Sequence, residues 1–195
     1  PLELFQIWLN LPRRDKLVEP HFSMLWRDTI PKYTTVDANG RSTEVTVIAG
    51  AYGAEPAPSP PPHSWASHDD TDVAIWTVHL AAGARWTLPA AQRGSNRRLY
   101  LHRGDALGVG DETVPGNRWV DLDGGASPVL EARAGEVEFL LLQGRPIGEP
   151  VAQYGPFVMN TRAEVAQAFA DYQRTQFGGW PWPAPDPVHP RDAGR

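Results

Sequence analysis

The chain has 195 residues, 41% of them hydrophobic and 21% charged, a balance and length suited to one globular domain or a little more, with a real core. A net charge of −5 argues against nucleic acid as the main partner, since phosphate binding needs a surplus of Lys and Arg. The sequence has no cysteine, which excludes disulfides, thiolate nucleophiles and Cys-ligated metal sites. Nothing approaches the roughly 20 apolar residues of a membrane helix, and no signal peptide is visible.

In chain order, residues 3–10 (ELFQIWLN) alternate in part, with Leu4, Gln6, Trp8 and Asn10 on one side and Phe5, Ile7 and Leu9 on the other. That spacing predicts a strand. It opens in mid-strand without a turn or cap, so the chain is expected to be the later part of a longer one. Pro12 stops the pattern, and Arg13, Arg14, Asp15, Lys16 and Glu19 form a charged, solvated segment. Residues 43–49 (TEVTVIA) are β-branched and strand-forming, and residues 50–62 read as a polyproline-like loop.

From Asp72 onward short strands recur, at 73–80, 84–88, 98–102, 106–109, 129–132 and 137–142, each closed by Gly, Pro or Asp. Short strands with turn signals every eight to twelve residues predict an antiparallel sandwich or barrel, and no alternation with helices supports a doubly wound sheet. Pro146, Pro150 and Pro156, with Gly148 and Gly155, then keep the chain extended or turning. Thr161 and Glu164 make a capping box, and Val165, Ala168, Phe169 and Tyr172 form one apolar stripe of a helix that should dock on a sheet. Gly178 and Gly179 are expected to end it. Residues 179–195 are too rich in proline to fold by themselves, so Trp180 and Trp182 either pack back or ride on a free arm.

Four stretches carry a resemblance: FQIWLNLP (5–12), the proline loop followed by SWA (64–66), GRPIGEPVAQYGPFVMNT (144–161), and the helix ending in DYQRTQFGGWPWP. Together they resemble the pirins of the bacterial branch across nearly the whole chain. The resemblance implies two cupin barrels in tandem. Residues 1–12 would then be the last strand of a first barrel, 13–34 a linker, 35–160 the second barrel, 161–178 the terminal helix and 179–195 a tail. The implied fold is all-β, a cupin-type antiparallel barrel (double-stranded β-helix or jelly roll) with one C-terminal helix. The implied parent activity is metal-dependent dioxygenation of flavonols such as quercetin, together with regulatory binding to protein partners. Its Fe(II) would sit in the first barrel, on three histidines and a glutamate absent from this chain, and the expected compartment is the cytoplasm.

A cupin metal site needs two His on one strand, a following Glu, and a third His on a later strand, because alternate residues share a face. Counting from Gly83, the pair falls at Pro89 and Ala91, the carboxylate near Asn96 or Arg97, and the last His near Glu136 or Val137. None of these sets can ligate a divalent ion in that arrangement. The expectation is therefore no catalytic, cofactor-binding or metal residue in this barrel.

Other candidates weigh less than their bland readings. His63, His68, Asp69 and Asp70 read as an exposed polar loop rather than a metal site, and Asp69, Asp70 and Asp72 lack the glycine and distal glutamate of a calcium loop. His79 and His102 read as strand histidines. Arg93, Arg97, Arg98 and Arg103 around Tyr100 suggest a nucleic-acid track, yet the strand pattern spreads them over both faces. Trp65, Trp76, Trp86 and Trp119, if clustered, would line a pocket for a flat ligand. Two functions remain: a metal-free packing and partner-binding module, or a small-molecule-binding or enzymatic barrel with a Trp-lined interior. The expected partners are the first cupin domain and a protein, and the apolar strand at 5–9 is expected to promote self-association.

Overall fold

The computed structural model describes residues 3–21, 23–53 and 56–179. These group into two compact units. The larger comprises Leu25–Pro62 and Ala66–Pro146; the smaller takes the described residues up to Met24, His63–Trp65, and those from Ile147 onward.

The larger unit holds ten strands: β1 (Lys32–Val36), β2 (Ser42–Ala49), β3 (Ala74–Leu80), β4 (Arg85–Thr87), β5 (Asn96–Arg103), β6 (Ala106–Val109), β7 (Glu112–Pro115), β8 (Arg118–Leu122), β9 (Val129–Glu131) and β10 (Val137–Gly144). They form a six-stranded sheet in the order β1-β2-β3-β10-β5-β8 and a four-stranded sheet in the order β4-β9-β6-β7. Every pairing is antiparallel.

Two long two-stranded ribbons each bend from one sheet into the other. In the first, β5 pairs with β8 and, past the bend, β6 pairs with β7. The bend is made by Gly104, at φ +97, and Gly116. A side chain on Gly104 would strike the Glu136 carbonyl, and one on Gly116 would strike the Gly104 carbonyl. Only glycine allows this approach of backbones. In the second ribbon β3 pairs with β10 and β4 with β9. Its corner is closed by Gly83 N–H on Ala132 O at 2.8 Å and Ala132 N–H on Ala84 O at 3.1 Å. Bending ribbons leave the sheets facing each other over one apolar interior.

Side-chain alternation fills that interior. β3 buries Ala74, Trp76, Val78 and Leu80, and the last of these is wholly enclosed. β10, the strand between β3 and β5, buries Val137, Phe139, Leu140 and Leu141 and is covered on both sides. It runs to Gly144, two residues beyond the predicted end.

In the smaller unit β11 (Ala152–Tyr154) and β12 (Phe157–Met159) pair as a hairpin. The proline-rich crossing is thus extended, as expected, and also laddered to itself. The helix α1 (Arg162–Thr175) starts with the predicted capping box: Thr161 Oγ1 accepts from Glu164 N, and Glu164 Oε2 accepts from Thr161 N at 2.8 Å. Its stripe meets the hairpin, with Phe169 edge-on to Phe157 at 4.7 Å. The helix ends at a left-handed Gln176, and the glycines close the 3-10 turn Gln176–Gly178 that follows. The expected stop is therefore two residues late.

Two expectations are corrected. Residues 3–10 carry no strand. Alternation makes a segment fit for a ladder, but only a neighbouring backbone makes the ladder, and no described residue of this chain supplies one. The charged segment is not simply solvated. It forms a 3-10 turn, Arg13–Asp15, in which Asp15 is buried. Lys16 Nζ donates to Asn10 Oδ1 at 2.7 Å and to Val158 O at 3.1 Å, while Arg13 N donates to Glu149 Oε2 at 2.7 Å. Burial lowers the Lys16 pKa below its ordinary value, against the pull of Glu149 and Glu164. The expectations for Pro1 and for Trp180 and Trp182 lie outside the described residues.

Candidate functional site

The register of the six-stranded sheet stacks its inward side chains in rows that cross neighbouring strands. Thr43, Leu80 and Val137 make one row; Val45, Val78, Phe139 and Leu101 make the next. Val47, Trp76, Leu141, Leu99 and Val120 make a third. The row beyond it, Ala74, Gln143 and Arg97, is polar. So the interior is apolar through three layers, Thr43 apart, and changes character at one end.

Arg97 is 3% exposed and points inward with Leu99 and Leu101 on β5. Its Nε donates to Gln143 Oε1 at 2.9 Å, one terminal nitrogen to Ala126 O at 3.2 Å, and the other to Pro89 O. Gln143 Nε2 continues the chain to Asp72 O at 3.2 Å. Asp72, left-handed at φ +51, accepts from Gln92 N at 2.8 Å and Ser95 Oγ at 2.6 Å. Burial depresses the Arg97 pKa from its ordinary value, with Asp72 opposing through space.

A cavity of about 590 Å³ opens at this polar end. Its lining includes Tyr52, Trp76, His68, Asp69, Asp72 and Arg97. Of the four tryptophans expected to cluster, Trp76 and Trp86 do so, both against Tyr52 with ring centroids at 5.2 and 6.0 Å. Trp119 lies outside on β8, half exposed, with the Arg98 guanidinium 4.0 Å above it. Trp65 lies in a short 3-10 turn.

The residues counted for a cupin site take these places in the structure. Pro89 gives only its carbonyl, to Arg97. Where the carboxylate ligand is due, a buried guanidinium stands, and a fixed cation repels a second one. Glu136 is exposed and reaches His79 Nε2 at 3.4 Å on the outer face, while Val137 is buried in the core. The arginines are not a phosphate track either. Arg98 is held in a two-pronged pair by Asp121, Arg103 pairs with Glu138 at 2.8 Å, and Arg97 is inside. His63 faces Asp15 at 3.7 Å, whereas His68 and Asp69 border the cavity.

Sequence reading missed the role of Arg97 by treating it as one of a charged group. The signal lay in its place in line with apolar Leu99 and Leu101, in a period of two. β7 and β8 were missed as well, although Gly116-Asn117, with Asn117 at φ +55, is a recognisable turn between two short runs.

Two facing antiparallel sheets built from bent ribbons, with a site at one end, define a cupin-type barrel. The model for the pirin C-terminal cupin domain matches residues 75–178, more than half of the chain, and the chain belongs to that family. A pirin-like protein of Caulobacter vibrioides is 37% identical over 173 residues, covering 89% of this chain and 58% of that protein. Rattus norvegicus pirin is 30% identical over 183 residues, covering 91% and 58%. The crystal structure of a quercetin 2,3-dioxygenase from Acinetobacter baumannii superposes with a TM-score of 0.70 at 27% identity, over 87% of this chain and 55% of that one. The chain thus spans little more than half the length of the relatives it matches.

Proposed function

We propose that this chain is the metal-free half of a two-barrel pirin-like protein, a module that packs on a partner barrel and offers surface to other proteins. The observation that supports this reading is the interior itself: largely apolar rows, and a buried arginine at a position that the spacing count assigns to a cupin carboxylate. The parent would resemble the Acinetobacter quercetin 2,3-dioxygenase, with Fe(II) in the other barrel. The cytoplasm is the setting in this reading. Among the described residues no helix is long and apolar enough to cross a membrane.

The first partner is the other barrel. Relatives extend over roughly twofifths more of their own length than this chain matches, and residues 4–9 present Leu4 and Trp8 largely exposed. A strand-forming sequence with apolar side chains on the surface suits pairing with that barrel. Metal analysis of the purified chain tests the reading. We expect iron, nickel and manganese well below one per chain, and no turnover of quercetin. Stoichiometric metal or quercetin turnover by these 195 residues overturns it.

A further inference from the structure

The cavity at the polar end holds a cation that no carboxylate among the described residues meets by a hydrogen bond. Arg97 is nine-tenths buried and more, yet all three of its hydrogen bonds go to neutral acceptors, the Gln143 side chain and the Ala126 and Pro89 carbonyls. Asp72 acts on it only through space, with one oxygen already taking Gln92 N and Ser95 Oγ. A guanidinium has five N–H donors, so two remain. Buried charges are ordinarily paired.

Two further donors border the same cavity. Trp76 is 4% exposed, and its Nε1 is buried without a hydrogen-bond acceptor among the described residues. Tyr52 accepts from Trp86 Nε1 at 3.2 Å, which leaves the phenolic hydrogen to give. The rings of Tyr52 and Trp76 supply an apolar wall, 5.2 Å apart and edge to face. Asp69 and Asp72 also line the cavity and repel any second negative charge. At about 590 Å³ the space is that of a small-molecule site.

We propose that this cavity binds a small monocarboxylate with a flat apolar body, an arylcarboxylate. The carboxylate completes the donors of Arg97 and Trp76 Nε1, and the ring lies against Tyr52. Guanidinium and carboxylate match in geometry and charge. This site is independent of the packing role proposed above, so either can fail while the other stands.

Titration of the 195-residue chain with benzoate, benzyl alcohol and benzylamine, followed by calorimetry and tryptophan fluorescence, tests it. We expect saturable benzoate binding at least tenfold tighter than either isostere. Trp76→Phe, which keeps the ring and removes the N–H, should weaken benzoate severalfold while the thermal transition stays cooperative. Tyr52→Phe should do the same, and Arg97→Lys should weaken benzoate more than benzyl alcohol. Preference for benzylamine, equal binding of benzoate and benzyl alcohol, absence of saturable benzoate binding, or unchanged benzoate affinity in both folded Trp76→Phe and Tyr52→Phe overturns the proposal.

Discussion

Arg97 and Gln143 lie directly opposite each other across β5 and β10, joined by Nε donating to Oε1 at 2.9 Å. The amide also donates onward to Asp72 O, so one neutral side chain ties a buried cation to the loop before β3. Replacing it tests how far the polar row is a unit. Gln143→Leu conserves volume but strips Arg97 Nε and Asp72 O of their partners, and it should cost about 2–4 kcal/mol of stability in urea denaturation. A loss below half a kcal/mol would show that the row is not coupled.

Asp37 gathers three backbone donors. Oδ1 accepts from Asn39 N at 2.8 Å and Arg41 N at 3.0 Å, closing the turn between β1 and β2, and Oδ2 accepts from Arg85 N at 3.1 Å at the start of β4. The Arg41 hydrogen bond above all, with those from Asn39 and Arg85, holds its pKa below the ordinary 3.8. A carboxyl depressed in the folded state stabilises above its unfolded pKa and loses that contribution as pH falls through the folded value. Stability measured by denaturation from roughly pH 5 down to pH 2 should therefore fall less steeply in Asp37→Asn than in the native chain. Identical slopes would refute the assignment.

Thr161 caps α1 through its hydroxyl, and Glu164 returns the bond while also pairing with Arg13. Thr161→Ala should destabilise the helix by about 1 kcal/mol, within the usual range for a lost N-cap. Far-ultraviolet dichroism during thermal melting reads the change. Thr161→Ser should recover most of it, because the hydroxyl returns.

Trp8 is 65% exposed and Leu4 76%. Apolar side chains on a strand-forming segment should draw copies of the chain together in the absence of the partner barrel. Light scattering across a concentration series should show self-association, and Trp8→Lys should reduce it. A concentration-independent monomer would count against the segment as an adhesive surface.

Local rules were sufficient for much of this protein. The capping box, the two-residue period of β3 and β5, and the glycine and proline stops depend on neighbours in sequence, and they could be read before any tertiary contact was known. Residues 3–10 were legible only as strand-forming, since pairing is a property of two segments and no described residue supplies the second. The folding of β7 and β8 around a bend was hidden for a similar reason: the glycines at 104 and 116 meet only when the two strands of one ribbon pair on both sides of its bend. The sequence by itself thus determined an antiparallel β architecture, a capped helix and a barrel without cupin ligands. Tertiary structure decided that Arg97, one of several arginines in the chain, is enclosed on neutral acceptors and lines one cavity with Trp76 and Tyr52. Burial and the gathering of residues from distant strands set its surroundings, and neither is written in the spacing of any one strand.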